Sequence, residues 1–296
     1  RNKRKEIFFM MSSKKIKFLR NYINVIQKIK IYLAYFRIKF LNEIQYKLAA
    51  FSGILTQFAW GGMLIMLYTS FLNNGSANTY TIPQMCTYIW LHQAFLLIFS
   101  FSSVDKDVIE MCRTGGISIE LVKPVSLYYI WHAKTLGKKI AAVSLRALPI
   151  FVICAMPFFN QYRLTAPVNF GAFILFLITL ILSLGLILAY VMIMYIAVMK
   201  ANTSQGIKLT FRLIMEFCTG AAIPIAFMPD YMVKILKLTP FYYMENVSFN
   251  IYNGYIADGQ EIFKIIVLQI LWLIVLTILG KKLMNRQLSK IVVQGG

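Results

Sequence analysis

The side chains that could support catalysis or metal binding are few in this chain of 296 residues, and they lie far apart. The four cysteines form no C-x-x-C pair, and the two histidines, His92 and His132, are 40 residues apart. Neither a structural disulfide nor a metal site is therefore expected. No G-x-x-x-x-G-K-[ST], H-E-x-x-H, G-x-S-x-G or paired-carboxylate motif occurs in or near an apolar run. We expect no enzymatic activity and no cofactor in this chain.

Charge of both signs is concentrated in one short stretch, DKDVIEMCRTGGISIELVKPVS, which directly follows an apolar run. Basic residues and a Gly-Gly pair are interspersed among its acids. Four of the 11 acids of the chain lie here: Asp105, Asp107, Glu110 and Glu120. What this mixed-charge loop can do depends on the side of a membrane, or the part of a fold, in which it lies.

The composition indicates a membrane protein. Hydrophobic residues make up 59% of the chain and charged residues 14%, whereas soluble domains average about 45–50% and about 25%. The mean hydropathy is +0.65. A net charge of +20 could indicate nucleic-acid binding, but the basic residues crowd between the apolar runs. That pattern is typical of a membrane protein facing anionic lipid and cytoplasm, so nucleic acid is not an expected partner.

Six apolar runs are long enough to cross about 30 Å of hydrocarbon, which requires about 20 helical residues. They cover about 48–72, 84–103, 140–159, 170–199, 209–227 and 262–280. With the N-terminus inside, 26 of the 31 basic residues fall on the cytoplasmic side and three on the outer side. This asymmetry predicts that both termini and the charged loop are cytoplasmic. We expect an all-α, polytopic protein of the plasma membrane of a prokaryotic cell.

Residues 1–47 precede the first predicted span and are strongly basic. Apolar residues recur there at three- and four-residue steps on one helical face: Phe18, Tyr22, Ile26, Ile29, Leu33, Phe36, Phe40 and Ile44. This pattern predicts an amphipathic helix in the inner membrane interface. The alternative is an overlong first span, against which the density of Lys and Arg argues. The chain thus divides into a cytoplasmic segment, 1–47, and a six-helix transmembrane domain, 48–296.

The segment 229–261 differs from the other predicted loops because it is rich in aromatic residues and partly apolar. Pro229 and Pro240 interrupt it, and it is too polar to span a membrane. We expect short re-entrant helices that dip into the outer leaflet, with Tyr242 and Tyr243 at the level of the lipid headgroups.

Ionisable residues inside the predicted spans are few, and such residues usually mark function. Glu216 is the only acid well inside a predicted span, Arg212 precedes it by one helical turn, and Arg146 lies in the third span. Two roles are open for Glu216. It forms a structural ion pair with Arg212 at i, i+4, or it lines a translocation path.

Two longer stretches resemble the permease subunit of type-2 ABC exporters, the ABC-2-like permeases. SVDKDVIEMCRTGGISIELVKPVSLYYIWHAKTLGK is similar to that family's second cytoplasmic-loop pattern: a charged helix, a glycine-containing turn, then Leu-x-x-Pro-Val-Ser. TGAAIPIAFMPDYMVKILKLTPFYYM, which contains Pro224, resembles the end of the fifth span and extracellular re-entrant helices. The closing VVQGG resembles the branch of the family whose substrate is unknown.

The resemblance implies that the charged loop carries a coupling helix that docks on a separate ATPase subunit. The residues to which it assigns this coupling are Asp105, Asp107, Glu110, Arg113, Gly115 and Gly116. The two glycines would form the tight turn after the helix. The resemblance further implies ATP and Mg on the partner ATPase, a second permease that is identical or related, and membrane lipid as surroundings. The alternative is a solvated loop whose charges only mark its side of the membrane.

The expected function is therefore that of the transmembrane permease of an ATP-driven exporter. An ion-coupled secondary transporter or channel is the main alternative, although 48–159 and 170–280 show no internal similarity that would suggest an inverted repeat. A membrane enzyme acting on lipids is a further alternative, disfavoured because no catalytic arrangement is visible. Peptides, lipid-linked glycans and hydrophobic drugs are all compatible substrates.

Overall fold

A computed structural model describes residues 25–73, 80–114, 116–123, 125–201 and 203–290 of the chain. Within these ranges every regular element is a helix and no strand occurs. The predicted all-α fold is confirmed. The described part of the predicted N-terminal helix is helical over residues 25–44, and Gly115 lies outside the described residues.

The helices are numbered here in chain order, and the helix over residues 25–44 is α1. The next five are α2 (Lys47–Asn73), α3 (Ile82–Phe99), α4 (Lys106–Thr114), α5 (Ser118–Leu121) and α6 (Leu127–Cys154). The last five are α7 (Phe170–Ala201), α8 (Gln205–Cys218), α9 (Asp230–Lys237), α10 (Asn246–Tyr252) and α11 (Gly259–Leu288). Short segments of 3-10 helix lie between several of them.

Four of the described helices are long and apolar enough to cross a membrane: α2, α3, α7 and α11. They match four of the six predicted spans. The third predicted span, 140–159, overlaps α6, which is 28 residues long but carries several charges. The fifth, 209–227, overlaps α8, which has only 14 residues and is therefore about 21 Å long. These two crossings stay predictions.

Helix starts in this chain follow local capping chemistry. Thr81 and Gln84 form a reciprocal capping box at the start of α3, with Pro83 in the first turn, where its missing N–H is not needed. Asp258 caps α11, and its carboxylate accepts hydrogen bonds from two backbone N–H groups of the first turn. Both helices therefore begin where the sequence supplies an acceptor for orphan N–H groups.

The centre of the fold is α7. It packs against α10 and α11, which follow it in the chain, and against α4 and α6, which precede it. By contrast, α2 and α11 leave many large apolar side chains exposed, among them Phe51, Trp60, Met66 and Phe263. A helix that is apolar all round suits a bilayer, because hydrocarbon solvates its outer face.

A fully buried lysine closes the C-terminal end of α3. The ammonium group of Lys139, on α6, lies 2.8 Å from the carbonyl oxygens of Ile98 and Ser100, 3.3 Å from that of Leu97, and 3.0 Å from Oγ of Ser103. The last carbonyls of a helix lack intrahelical partners and carry partial negative charge, so a cation is favourable there. Lys139 thereby fixes α6 against the end of α3.

The segment after α8 folds back between the long helices. Every residue of α10 is buried, and the carbonyl oxygen of Tyr243 accepts hydrogen bonds from Gln269 of α11 (2.9 Å) and Ser183 of α7 (3.2 Å). Tyr242 is buried as well. The two tyrosines therefore pack between the long helices, and their position at the level of the lipid headgroups stays a prediction.

Three prolines of this segment each stand directly before a helical turn. Pro224 precedes the turn Ile225–Phe227, Pro229 precedes α9, and Pro240 precedes the turn Phe241–Tyr243. A proline at such a start costs no hydrogen bond, since the first N–H groups of a helix have no intrahelical acceptor.

Candidate functional sites: a charged loop helix and a polar cavity

The loop helix α4 has one apolar and one charged face. Val108, Ile109 and Cys112 are buried, and the helix packs against α7. On the opposite face, Glu110 and Arg113 form an ion pair of 2.6 Å at i, i+3 while remaining 57% and 49% exposed. The hydrogen bond from Arg113 lowers the pKa of Glu110, so the carboxylate stays charged at neutral pH. The exposed side of α4 therefore carries a compact pair of opposite charges.

Asp105 belongs to the attachment of α4 and not to its exposed face. Its carboxylate is buried and accepts hydrogen bonds from the backbone N–H groups of Asp107 (2.9 Å) and Val108 (3.4 Å), as a helix N-cap does. Its own backbone N–H donates to the hydroxyl of Tyr195 on α7 at 3.0 Å. Asp105, which the resemblance assigned to docking, therefore attaches the start of α4 to α7.

Lys39 of α1 ties both aspartates of the loop to the N-terminal helix. Its ammonium lies 2.9 Å from Oδ2 of Asp105 and also contacts Asp107, whose side chain is 74% exposed. The hydrogen bond from Lys39 lowers the pKa of Asp107. Burial acts to lower the pKa of Lys39, but the hydrogen bonds to Asp107 and Asp105 outweigh it and the pKa is raised. Lys39 and Asp107 are therefore both charged at neutral pH.

A second set of contacts holds the rest of the loop against α1 and α6. The buried carboxylate of Glu120 accepts hydrogen bonds from Trp131 (2.7 Å) and Lys134 (2.5 Å). The ammonium groups of Lys123 and Lys134 both lie 5.3 Å from the ring centre of Tyr35 on α1, a favourable cation–π distance. Burial acts to raise the pKa of Glu120, but the hydrogen bonds from Lys134 and Trp131 outweigh it and the pKa is lowered.

Glycine is required where α1 crosses α6, whereas the surroundings of Gly116 set no such requirement. A Cβ on Gly137 would lie 2.4 Å from the carbonyl oxygen of Phe36, so only glycine permits this close approach. A Cβ on Gly116 would meet nothing closer than 3.5 Å. The tight-turn role assigned to Gly116 is therefore not demanded by its surroundings.

A polar cavity of about 270 Å³ lies between α3, α8 and the folded-back segment. Its polar lining comprises His92, Ser100, Arg212, Glu216, Thr219 and Glu245. Leucine, phenylalanine, methionine and alanine side chains complete its walls. A cavity with apolar walls and a few convergent polar groups is the usual form of a small-ligand site.

Two acid–base contacts lie at this cavity. The Nε atom of Arg212 lies 2.7 Å from Oε1 of Glu216, one helical turn away on α8. His92 of α3 contacts Oε1 of Glu245 through its Nδ1 atom, and Glu245 is fully buried. Arg212 and Glu216 form the ion pair that their i, i+4 spacing predicted, and both residues line the cavity. The two roles left open for Glu216, a structural ion pair and the lining of a translocation path, are therefore compatible.

The third predicted intramembrane charge lies elsewhere. Arg146 of α6 reaches across to α2, where it donates to the carbonyl oxygen of Ala49 at 3.4 Å. Its guanidinium covers Gly53, and a Cβ on that glycine would lie 2.2 Å from the guanidinium carbon. The structure therefore separates Arg146 from the pair on α8 and makes it a contact between α2 and α6.

Comparison with known protein families matches residues 57–295 to the family described as "ABC-2 family transporter protein". The matched range contains α3 to α11 and with them the charged loop and the cavity. The chain belongs to the ABC-2 transporter family. The predicted resemblance is confirmed, and with its apolar helices the chain is a multi-pass membrane protein. A comparison with curated proteins finds no significant match.

For an ABC-2 permease, the most informative residues that the sequence did not single out are His92 and Glu245. The two are 153 residues apart, and Glu245 was assigned to an outer loop because its segment is too polar to span. A signal was present in the stretch TPFYYMENVSFN, where one acid stands among aromatic and apolar residues. Membership of the family implies, in general, an ATPase partner.

Proposed function

We propose that this chain is the transmembrane permease of an ATP-driven exporter. ATP and Mg bind to a separate ATPase, and a second permease, identical or related, completes the complex. The observation that carries the proposal is the loop helix α4: its apolar face is fixed to α7, and its charged face, Glu110 and Arg113, is exposed. Such a surface suits a polar groove on a partner and gives that contact its specificity.

The anchoring of α4 supports a mechanical role. The hydroxyl of Tyr195 on α7 accepts from the backbone of Asp105 at 3.0 Å and lies 3.0 Å from the hydroxyl of Thr135 on α6. One buried hydroxyl thus links the start of α4 to two long helices. Lys39 adds a link to α1. A displacement of α4 by a partner would move α6 and α7 together, as rigid-body switching requires.

In the proposed topology α6 and α8 complete six crossings, both termini are cytoplasmic, and the segment from α9 to α10 is re-entrant. The distribution of basic residues supports this orientation. The burial of α10 and the hydrogen bonds from Ser183 and Gln269 to the carbonyl of Tyr243 support re-entry. Backbone polar groups at membrane depth need such partners within the protein.

An ion-coupled carrier is a second candidate, favoured by the contact between His92 and the buried Glu245. Buried ionisable pairs occur in proton relays of carriers. The two functions differ in their energy source. Transport by reconstituted complex that requires ATP and survives an uncoupler supports the exporter, whereas transport that an uncoupler abolishes without ATP supports the carrier.

Co-purification tests the proposed partnership. The tagged chain, extracted in several mild detergents, should bring with it an ATPase that contains a phosphate-binding loop, and its ATP hydrolysis should change when the permease is removed. Recovery of the folded permease free of such an ATPase in every detergent would contradict the proposal. The matched control is the variant Arg163→Glu, whose exposed charge lies in the segment between α6 and α7, and which should retain the ATPase.

A further inference from the structure

The guanidinium of Arg146 is a cation without an anionic partner at the surface where α6 meets α2. It donates to the carbonyl oxygen of Ala49 at 3.4 Å, a long hydrogen bond at an exposed position. A guanidinium has five N–H donors and stays charged at every physiological pH. In the part of the chain that the structure describes, no carboxylate forms an ion pair with it. Several of its donors are therefore open to a further acceptor.

Glu43 of α1 is the acid that acts on Arg146 electrostatically, but it does not serve as its partner. The carboxylate of Glu43 attracts the guanidinium from beyond ion-pair distance and lies 4.0 Å from the ammonium of Lys138 instead. Because the charge of an arginine is permanent, the sign of a ligand for Arg146 does not depend on the protonation of a neighbour. The complement of this group is an anion.

The depth of Arg146 in the fold indicates which anion it meets. Its contacts on α2 are with Ala49 and Gly53, which lie about 3–9 Å beyond the start of that helix at 1.5 Å per residue. Arginine near the end of a membrane helix keeps its charged group at the interface. In the orientation proposed above, this end of α2 is cytoplasmic. Lipid phosphates of the inner leaflet lie at that level.

The face of α2 that Arg146 contacts continues as an exposed apolar strip. Trp60 and Met63 follow Gly53 by seven and ten residues, so they share its side of the helix. Their side chains are 55% and 49% exposed. Ten helical residues span about 15 Å, which is the depth of hydrocarbon in one leaflet. An acyl chain attached to a phosphate at Arg146 therefore has an apolar surface beside it.

The chemistry of the guanidinium favours one class of lipid. Its planar fork matches two oxygens of a phosphate, and basic sites between membrane helices on the cytoplasmic side bind anionic headgroups. A zwitterionic headgroup carries its own cation, which competes with arginine for the phosphate. An anionic phospholipid is therefore the better complement of Arg146.

We propose that Arg146 binds the phosphate of an anionic phospholipid of the inner leaflet, with one acyl chain along Trp60 and Met63 of α2. The inference goes beyond the proposed function, because this binding needs neither ATP nor an ATPase. Failure of lipid binding would leave docking through α4 intact, and loss of the ATPase partnership would leave lipid binding intact.

The test measures lipid binding to the full-length permease, delipidated in detergent, by native mass spectrometry. The probes are dioleoyl phosphatidylglycerol, which is anionic, and dioleoyl phosphatidylcholine, which is zwitterionic and has the same acyl chains. The wild type should bind the first phosphatidylglycerol at least fivefold more tightly, a difference of about 1 kcal/mol. Equal affinity for the two lipids would overturn the proposal.

The deacylated headgroup, glycerophosphoglycerol, distinguishes a lipid from a free phosphate ester. Because the proposed site includes the apolar strip on α2, an equal concentration of this headgroup should not displace phosphatidylglycerol from the wild type. Displacement at an equal concentration would show that Arg146 takes a free phosphate ester, and the assignment to a lipid would be wrong.

Two matched pairs of variants locate the binding. Arg146→Gln should abolish the preference for phosphatidylglycerol, whereas Arg163→Gln removes the same charge from the exposed segment between α6 and α7 and should retain it. Gly53→Ala keeps every charge, but its Cβ would overlap the guanidinium of Arg146 and displace it. It should weaken phosphatidylglycerol binding, and Gly62→Ala, whose Cβ meets nothing within 4 Å, should not.

The glycine pair keeps the proposal testable if Arg146→Gln does not fold. Undiminished preference for phosphatidylglycerol in a folded Arg146→Gln protein would contradict the site. Equal phosphatidylglycerol binding by Gly53→Ala and Gly62→Ala would contradict it as well, because the position of the guanidinium over α2 would then be irrelevant.

Discussion

The ammonium of Lys39 lies 2.9 Å from Oδ2 of Asp105, where the N-terminal helix α1 meets the start of α4. The carboxylate of Asp105 is buried and caps α4. Replacing Lys39 by methionine leaves this charge without its counter-ion. Loss of the partner of a buried charged group costs on the order of 2–3 kcal/mol. We therefore expect α4 to detach more readily in Lys39→Met.

The thiol of Cys112 reports that detachment. Cys112 lies on the buried face of α4, and burial raises its pKa, so it should react slowly with a maleimide. In a chain whose other three cysteines are alanine, Lys39→Met should increase the labelling rate at least tenfold. Lys30→Met, on the same helix, is the control. Equal labelling rates in both variants would mean that Lys39 does not hold the loop.

The pair between Lys39 and Asp107 predicts a loss of stability in acid. The hydrogen bond from Lys39 places the pKa of Asp107 below its ordinary value of 3.8 in the folded state. Its contribution is therefore fully present above pH 3.8 and is lost as the pH falls through the folded-state pKa. Because Asp107 is largely exposed, solvent screens the effect and it should be small.

Thermal unfolding between pH 6 and pH 3 measures this contribution. Asp107→Asn should unfold at a lower temperature than the wild type at pH 6, and the gap should close toward pH 3. The pH dependence of Lys39 has the opposite direction. Its pKa is raised above 10.5 in the folded state, so its contribution to stability is present below that value and is lost as the pH rises through the folded-state pKa. A gap between wild type and Asp107→Asn that persists unchanged at pH 3 would contradict the pair.

Lys139 and its neighbour Lys138 offer a matched comparison. Lys139 caps the end of α3 and is fully buried, whereas Lys138 is partly exposed and donates to the carbonyl oxygen of Val104 at 3.1 Å. Lys139→Met should lower the free energy of unfolding by about 1–3 kcal/mol, because buried carbonyls lose their donor. Lys138→Met should lower it by less than half as much. Equal losses would show that the cap of α3 does not depend on Lys139.

Glu216 and Arg212 should matter for transport more than for stability. Their pair is half-exposed and spans one helical turn, and such pairs contribute about 0.3–0.5 kcal/mol. Glu216→Gln should therefore leave the unfolding temperature nearly unchanged and reduce transport per folded complex, because the pair lines the cavity. Lowered stability with normal transport would instead assign the pair a structural role. Both quantities can be measured on the same reconstituted preparation.

The sequence predicted the helices whose apolar runs are continuous, but it did not predict where α8 ends and the chain reverses. The bounds of α2 and α7 follow apolar runs closely, since a bilayer-crossing helix is specified locally. The end of α8 at Cys218 is different: Gly220 adopts a φ of 86°, and the chain then turns back. The segment that follows is held by Gln269, which donates to the carbonyl oxygen of Tyr243, and no local pattern indicates this contact between residues distant in sequence.

The charged residues show the same division. Arg212 and Glu216 could be paired from their spacing, because i, i+4 neighbours meet on any helix. The contact between His92 and Glu245 requires α10 to be packed beside α3, so the sequence could not indicate it. The burial of Asp105 likewise depends on α1 and α7. The pair of Glu110 and Arg113 on α4, by contrast, is exposed and can meet a partner.

The affinity of a purified ATPase partner for the reconstituted permease tests the central claim most directly. Glu110→Arg combined with Arg113→Glu reverses both charges of α4 and retains the i, i+3 pair, so the helix itself should be unaffected. Asp107 stays unchanged, because it contacts Lys39. At fixed, near-physiological salt, the reversed permease should bind the ATPase at least tenfold more weakly, a loss of about 1.4 kcal/mol, and Arg163→Glu should bind normally. Equal affinities for the wild-type and reversed permeases, with equal ATP hydrolysis, would contradict docking through α4.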